Sequence, residues 1–170
     1  MPSFDVEAAY ADLVQARRAA SSDVRPFGEL KVETTLHVGD GGTFFCHVME
    51  RVAPGRWELL RAPGAVFALR VSSTPALWLD AGAIMLDTTF GAFIPESAAE
   101  EIQGLDDAEV TVDFAMDVVG HESFGQRGEA VVKTPNGSSV AVFRVPTAGS
   151  YPVAKGLDAS GRVCAIVVGC

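Results

Sequence analysis

Hydrophobic and polar positions alternate in short runs along most of this chain, a pattern typical of β-strands. Residues that favour turns, chiefly Gly, Pro, Asn and Asp, separate these runs. The pattern predicts about ten short strands from residue 30 onward. They span 30–38, 43–49, 57–60, 66–71, 76–79, 110–118, 129–134, 139–145, 151–157 and 162–168, with shorter apolar pieces at 84–87 and 90–93.

The last 22 residues, 149–170, contain the clearest hairpin pattern, with Asp158-Ala159-Ser160-Gly161 as the turn. Pairing about this turn gives two apolar faces, so we expect the hairpin to be buried on both sides. One face carries Tyr151, Val153, Leu157, Cys164, Ile166 and Val168, and the other carries Pro152, Ala154, Gly156, Val163, Ala165 and Val167.

Two further turns define hairpins in the middle of the chain. Residues 39–42 (Gly-Asp-Gly-Gly) connect the first two predicted strands, 30–38 and 43–49, and no lysine or helix start follows to make them a phosphate loop. Asn136-Gly137 is a strong turn signal that sets Glu129 opposite Arg144.

Two segments have helical patterns. In residues 4–20, Val6, Tyr10 and Leu13 recur at helical spacing, and Ser3 suits the start of the helix. Residues 95–103 predict a short helix that begins at Pro95.

Together these elements predict a mainly β fold, either an antiparallel β-sandwich or a part-closed barrel, with an N-terminal helix and one short internal helix. The length suits a single β-rich domain over residues 1–170, in which the N-terminal helix segment, 1–24, packs on the sheets.

The net charge of −9 and a pI near 4.7 limit the classes of partner that the protein is expected to bind. Such a charge repels nucleic acid and attracts a basic protein, although solubility alone also explains it. No apolar run reaches the roughly 20 residues that a membrane span needs, and the acidic N-terminal segment is unlike a signal peptide. Three cysteines do not suit a disulfide framework, so we expect a cytoplasmic protein.

The hairpin over 30–49 carries His37, Cys46 and His47, residue types that bind metals or act as nucleophiles. Adjacent strand residues point to opposite faces. The predicted register places His47 with Met49 and puts His37 and Cys46 on the other face. We therefore expect a core or edge histidine, and we expect no metal and no cofactor.

Acidic residues cluster around the short helix, at Glu96, Glu100, Glu101, Asp106 and Asp107. Their spacing fits neither a calcium loop nor a glycosidase pair. A solvated surface explains the cluster simply. If it has a function, we expect it to bind a basic partner.

His121 and Glu122 lie in a polar, Gly-rich segment of the kind that often carries binding groups. His121 with Glu122 or Asp87 is therefore the candidate catalytic set. Asp87 also lies at a turn, as does Asp158, and both suit side-chain-capped turns.

Two stretches resemble a bacterial family, domain of unknown function 4241. In 67–102, Asp87, Gly91 and Phe93 before an Ala/Glu-rich helix are similar to the family's Asp-x-Gly-x-Gly-x-Phe segment, with Thr88-Thr89 where the family has its central glycine pair. The terminal hairpin is similar to the family's closing Tyr-Pro-Val and Asp-x-x-Gly-Arg pattern, although this chain ends Gly-Cys. The resemblance implies a β-rich fold and transfers no catalytic residue.

The sequence thus favours a non-enzymatic binding protein of the bacterial cytoplasm that docks a basic partner on its acidic face, with an immunity-like protein as one form of this hypothesis. The alternative is a small hydrolase or ligand-binding enzyme that uses His121 with a nearby carboxylate. Cys170 follows Gly169 at the end of the sequence, so we expect an exposed thiol of ordinary reactivity, whereas Cys46 and Cys164 should be shielded.

Overall fold

A computed structural model of the chain describes residues 4–42, 46–103 and 128–170. The protein is mainly β, with two antiparallel sheets, an N-terminal helix and one short internal helix. The sheets face each other and do not close into a barrel, which resolves the predicted alternatives in favour of the sandwich.

The larger sheet, sheet A, has six strands and the smaller, sheet B, has five. In spatial order, sheet A contains β1 (Arg25–Val32), β4 (Gly55–Ala62), β5 (Ala65–Arg70), β11 (Val163–Gly169), β10 (Gly149–Leu157) and β6 (Leu77–Leu86). Sheet B contains β3 (Cys46–Arg51), β2 (Thr35–Asp40), β7 (Phe90–Pro95), β9 (Ser139–Arg144) and β8 (Glu129–Lys133). The helices are α1 (Val6–Arg18) and α2 (Glu96–Gln103).

The molecule has four layers, because a helix covers the outer face of each sheet. The core between the sheets includes Trp57, Phe93, Phe143 and Ile166, all fully buried. On sheet A, Leu13 of α1 packs among residues of β4, β5 and β11. On sheet B, Ala98, Ala99 and Ile102 of α2 pack against β7, β8 and β9. This layering explains why several strands are apolar on both faces.

Two of the predictions about strand boundaries differ from the structure. The run predicted over 30–38 is broken at Glu33-Thr34, and its halves lie in different sheets as β1 and β2. Conversely, the pieces at 76–79 and 84–87 belong to one ten-residue strand, β6. A β-bulge near Ala81 interrupts its pairing with β10, and Gly82 there has φ +100°.

Three predicted registers also differ from the structure, two of them at bulges. In the terminal hairpin, Leu157 pairs with Val163, so Val163 lies on the inner face and the Cys164 thiol lies near Tyr10 of α1. At His47 a register shift places Met49 opposite His37, on the same face. The remaining pairs of the terminal hairpin keep the predicted faces.

The third register concerns Glu129, which pairs with Phe143 and not with Arg144. A shift of one residue moves a strand's side chains to the other face. Glu129 therefore shares the inner face of sheet B with Phe143. The start of α1 also differs from the prediction, since the capping side chain is Asp5, which accepts a hydrogen bond from the Ala8 amide at 3.0 Å.

In the described ranges, no helix combines the length and the apolar character that crossing a bilayer requires.

Candidate functional site

The first carboxylate of the predicted acidic face, Glu96, is bound to a buried histidine. Glu96 begins α2, where a negative charge is favourable at the helix N-terminus. His37 projects from β2 beneath it and is 7% exposed, and its Nε2 lies 2.8 Å from Glu96 Oε2. This contact orients the Glu96 side chain and gives the buried imidazole a hydrogen-bond partner.

Cys46 packs on the same face of sheet B as part of the cluster beneath α2. Burial, and secondarily the charge of Glu96, raises the pKa of its thiol. A nucleophilic cysteine requires the opposite shift, because the reactive species is the thiolate. The arrangement of Cys46, His37 and Glu96 therefore disfavours a cysteine nucleophile.

Glu101, the third acidic residue of α2, holds the turn between β8 and β9. Its Oε1 accepts a 2.6 Å hydrogen bond from the Asn136 amide, and its Oε2 accepts one from the Thr134 hydroxyl. Thr134 in turn binds Ser138 within the same turn. Both carboxylate oxygens of Glu101 are thus engaged within the fold.

Glu100 is exposed, and it lies at a small pocket with Glu96 and Glu33. Thr34, Pro95 and Ser97 complete the lining, and the pocket has a volume of about 200 Å³. Glu33 comes from the break between β1 and β2, a position outside the predicted acidic cluster. We call this group of Glu33, Glu96 and Glu100 the acidic pocket.

Asp87, a predicted catalytic candidate, forms a hydrogen bond through its backbone amide. A different carboxylate, that of Asp40 at the end of β2, is 1% exposed and accepts hydrogen bonds from the amides of Asp87 at 2.8 Å and Thr88 at 3.0 Å. It also accepts bonds from the Thr88 hydroxyl and the Gly42 amide. Asp40 therefore ties two turns together, and the side-chain-capped turn predicted at Asp87 is found at Asp40.

The turn predicted at Asp158 is capped by its own side chain. Its Oδ1 accepts bonds from the amides of Ser160 at 2.9 Å and Arg162 at 3.1 Å. These bonds, the one from the Ser160 hydroxyl first, lower the pKa of Asp158.

The remaining predicted site residues, His121, Glu122, Asp106 and Asp107, lie outside the described residues. The candidate catalytic set of His121 with Glu122 or Asp87 therefore stays a prediction. Within residues 4–42, 46–103 and 128–170, no group of three or more His, Cys, Asp or Glu side chains is placed to hold a metal ion.

Sequence reasoning missed a buried ion pair that joins the two sheets. Glu129 of β8 is 1% exposed, and its carboxylate lies 3.1 Å from Arg25 Nη2 of β1 and 3.5 Å from Arg61 Nε of β4. The sequence contained an indication of it. Arg61 is two residues after Leu59 and four after Trp57 on the same strand, so its side chain points to the same face as theirs, toward the core. This spacing marks Arg61 as a cation pointing between the sheets.

Cys170 differs from its prediction. Gly169 belongs to β11, and the Cys170 amide donates to the Gly64 carbonyl at 2.9 Å, so this end of the described chain is tied to the sheet. The thiol is half-buried and lies 3.6 Å from Arg61 Nη1. Burial raises the pKa of Cys170, and Arg61 offsets only part of that effect.

Comparison with known protein families, curated proteins and solved structures finds no match for this chain. The resemblance to domain of unknown function 4241 therefore stays a prediction, and the function has to be argued from the geometry alone.

Proposed function

We propose that this chain is a non-enzymatic binding protein of the bacterial cytoplasm that docks a basic partner through the acidic pocket. The observation that carries the proposal is the convergence of Glu33, Glu96 and Glu100, from two separate parts of the chain, on one surface. Carboxylates held close together attract a basic protein and raise its association rate. An immunity-like protein that neutralises a basic partner would use its surface in this way.

The other reactive groups of the described residues support binding over catalysis. The carboxylates of Asp40 and Glu101 accept backbone and side-chain hydrogen bonds that stabilise turns. Both Cys46 and Cys164 have pKa values raised first by burial, which favours the unreactive thiol. No described observation favours the hydrolase alternative, since His121 and Glu122 lie outside the described residues.

The contact between His37 and Glu96 gives the acidic pocket a fixed element. Glu96 is held by the buried histidine at 2.8 Å, whereas Glu33 and Glu100 are exposed. A held side chain loses less conformational freedom when a partner arrives. We therefore expect Glu96 to set the position of a basic side chain, with Glu33 and Glu100 supplying further attraction.

A short oligolysine peptide serves as the probe for this proposal. Titrated into the labelled protein at low salt, it should shift the amide NMR signals of Glu33, Thr34 and Ser97 first. The double variant Glu33→Gln/Glu100→Gln should weaken binding several-fold, and added salt should weaken the wild-type interaction. Both positions are exposed, so the melting temperature should change little.

The matched control is Glu7→Gln/Asp12→Gln, which removes two exposed carboxylates from α1 and changes the net charge by the same amount. This control should bind the peptide almost as the wild type does. Equal weakening in both double variants would mean that the peptide responds to net charge, and the proposed surface would be wrong.

A further inference from the structure

A cleft at the opposite end of β1 from the acidic pocket has the reverse charge. Arg25 begins β1, whereas Glu33 follows its last residue. The cleft has a volume of about 370 Å³ and brings together three arginines from three strands. Its lining consists of Arg25, Arg61, Gly128, Arg144, Val145, Pro146 and Cys170.

Two of these arginines carry more charge than the carboxylate that they share. Glu129, buried behind Arg25 and Arg61, is the carboxylate that both of them approach. Two guanidinium groups against this one carboxylate leave one positive charge in excess among these three residues. This excess occurs in a chain whose net charge is −9.

The three guanidinium groups differ in how firmly the fold holds them. Arg61 is fixed by the Arg144 carbonyl at 2.6 Å from Nη2 and by the Cys170 sulfur at 3.6 Å from Nη1. Arg25 keeps 47% of its side chain exposed, and Arg144 is exposed at the end of β9. The cleft thus combines one rigid, mostly buried cation with two that solvent reaches.

Glu129 does not use the arginine donors fully. The distances of 3.1 and 3.5 Å are those of ion pairs, yet among the described residues neither Glu129 oxygen accepts a hydrogen bond of good geometry. A guanidinium group carries more N–H donors than these contacts use, so Arg25 and Arg61 retain donors for a further acceptor. Planar guanidinium groups with available donors match phosphate and carboxylate oxygens in pairs of parallel hydrogen bonds.

We propose that this arginine cleft is a binding site for a small oxyanion of the phosphate class, either free phosphate or a phosphoryl group on a small molecule. The cleft is open to solvent, and its volume leaves room for more than the anion alone. The site is independent of the acidic pocket and of the function proposed for it.

Inorganic phosphate alone is the first probe, with a sugar phosphate and acetate as the second and third. In NMR titrations of the full chain, phosphate should shift the amide signals of Gly128, Val145 and Cys170 in a saturable way. Tighter binding of the sugar phosphate would identify a phosphoryl ligand, and equal binding would identify free phosphate. Acetate should bind more weakly, because it offers fewer oxygens and less charge.

Arg25→Gln and Arg144→Gln should each weaken phosphate binding about tenfold or more, the loss expected for one charge-assisted hydrogen bond. Arg56→Gln is the matched control, since Arg56 lies on β4 with Arg61 but pairs with Glu29 and is 67% exposed. It should leave binding unchanged. Circular dichroism identifies a variant that has lost its fold, and the wild-type titration maps the site without any variant.

Cys170 supplies a second readout that does not depend on any substitution. Phosphate bound beside Arg61 should slow alkylation of Cys170 by iodoacetamide, measured by peptide mass spectrometry, and leave Cys46 unaffected. The proposal is overturned if millimolar phosphate gives no saturable shifts at the cleft, if the shifts map elsewhere, or if Arg56→Gln weakens binding as much as the cleft variants do.

Discussion

Gly91→Ala in β7 should destabilise the protein, because the fold leaves no space for a side chain there. An ideal Cβ at Gly91 would lie 2.4 Å from both Cε2 and Cζ of Phe143. Carbon atoms in contact are about 3.5–4.0 Å apart, so the ring would have to retreat by more than about 1 Å. Phe143 is fully buried and packs against Phe93 with their ring centroids 5.2 Å apart, so the ring has no open space behind it.

The expected cost follows from two opposing effects. Overpacking a core costs about 1–3 kcal/mol, and replacing glycine in a strand recovers up to about 1 kcal/mol of backbone entropy. We expect a net loss of about 1–2 kcal/mol. Urea denaturation should then show a midpoint lower by about 0.5–1 M at a slope near 2 kcal/mol/M.

A double-mutant cycle separates this clash from any other effect of the substitution. Phe143→Leu removes ring atoms that the new methyl group would meet, so Gly91→Ala should cost less than about 0.5 kcal/mol in that background. Gly137→Ala is the control, because Gly137 has φ +90° and nothing within 4 Å of its ideal Cβ. Its cost should be the same in both backgrounds. An unchanged cost of Gly91→Ala after Phe143→Leu would refute the reasoning.

Three further predictions follow from burial, hydrogen bonding and thiol pKa. Ile166→Ala should lower the free energy of unfolding by roughly 2–5 kcal/mol in urea melts, and a loss below about 0.5 kcal/mol would contradict its complete burial. Glu101→Ala should lower the free energy of unfolding by about 1–3 kcal/mol and increase hydrogen exchange at the turn between β8 and β9. Glu100→Ala should do neither, and equal effects of the two substitutions would contradict the assigned bonds. Cys164 and Cys170 should react slowly with iodoacetamide near pH 7 and faster only as the pH rises toward their raised pKa values; labelling of either at the rate of a model thiol would contradict their burial.

The terminal hairpin shows how far the sequence determines the fold. Its strand runs and the turn at Asp158 are local features, so the hairpin and most of its side-chain orientation were predicted correctly. The exchange of faces at Val163 and Cys164 was not predicted, because it results from a bulge at which the Val163 carbonyl accepts a hydrogen bond from the distant Ala53 amide. The break at Glu33 likewise depends on the second sheet, since nothing local requires β1 and β2 to separate.

The candidate site follows the same division between local and distant determinants. Glu96 and Glu100 share a short helix, so their proximity could be predicted from spacing. The bond from Glu101 to the Asn136 turn and the pairing of Arg61 with Glu129 depend on how separate hairpins pack together. Strand parity could have shown that Arg61 points inward, but it could not have identified the carboxylate that meets it.

The bulge in β6 bears on how the protein avoids aggregation. Among the described strands, β6 forms one edge of sheet A, opposite β1, and carries the exposed apolar residues Leu77, Leu79 and Met85. A long, regular edge strand of this composition is a template for pairing with other molecules. The left-handed Gly82, whose amide donates to Asp80 Oδ1 at 2.8 Å, divides the edge into two short stretches, and Asp80 places a charge between them. An incoming strand cannot pair along the whole edge, so the bulge limits self-association at this edge of sheet A.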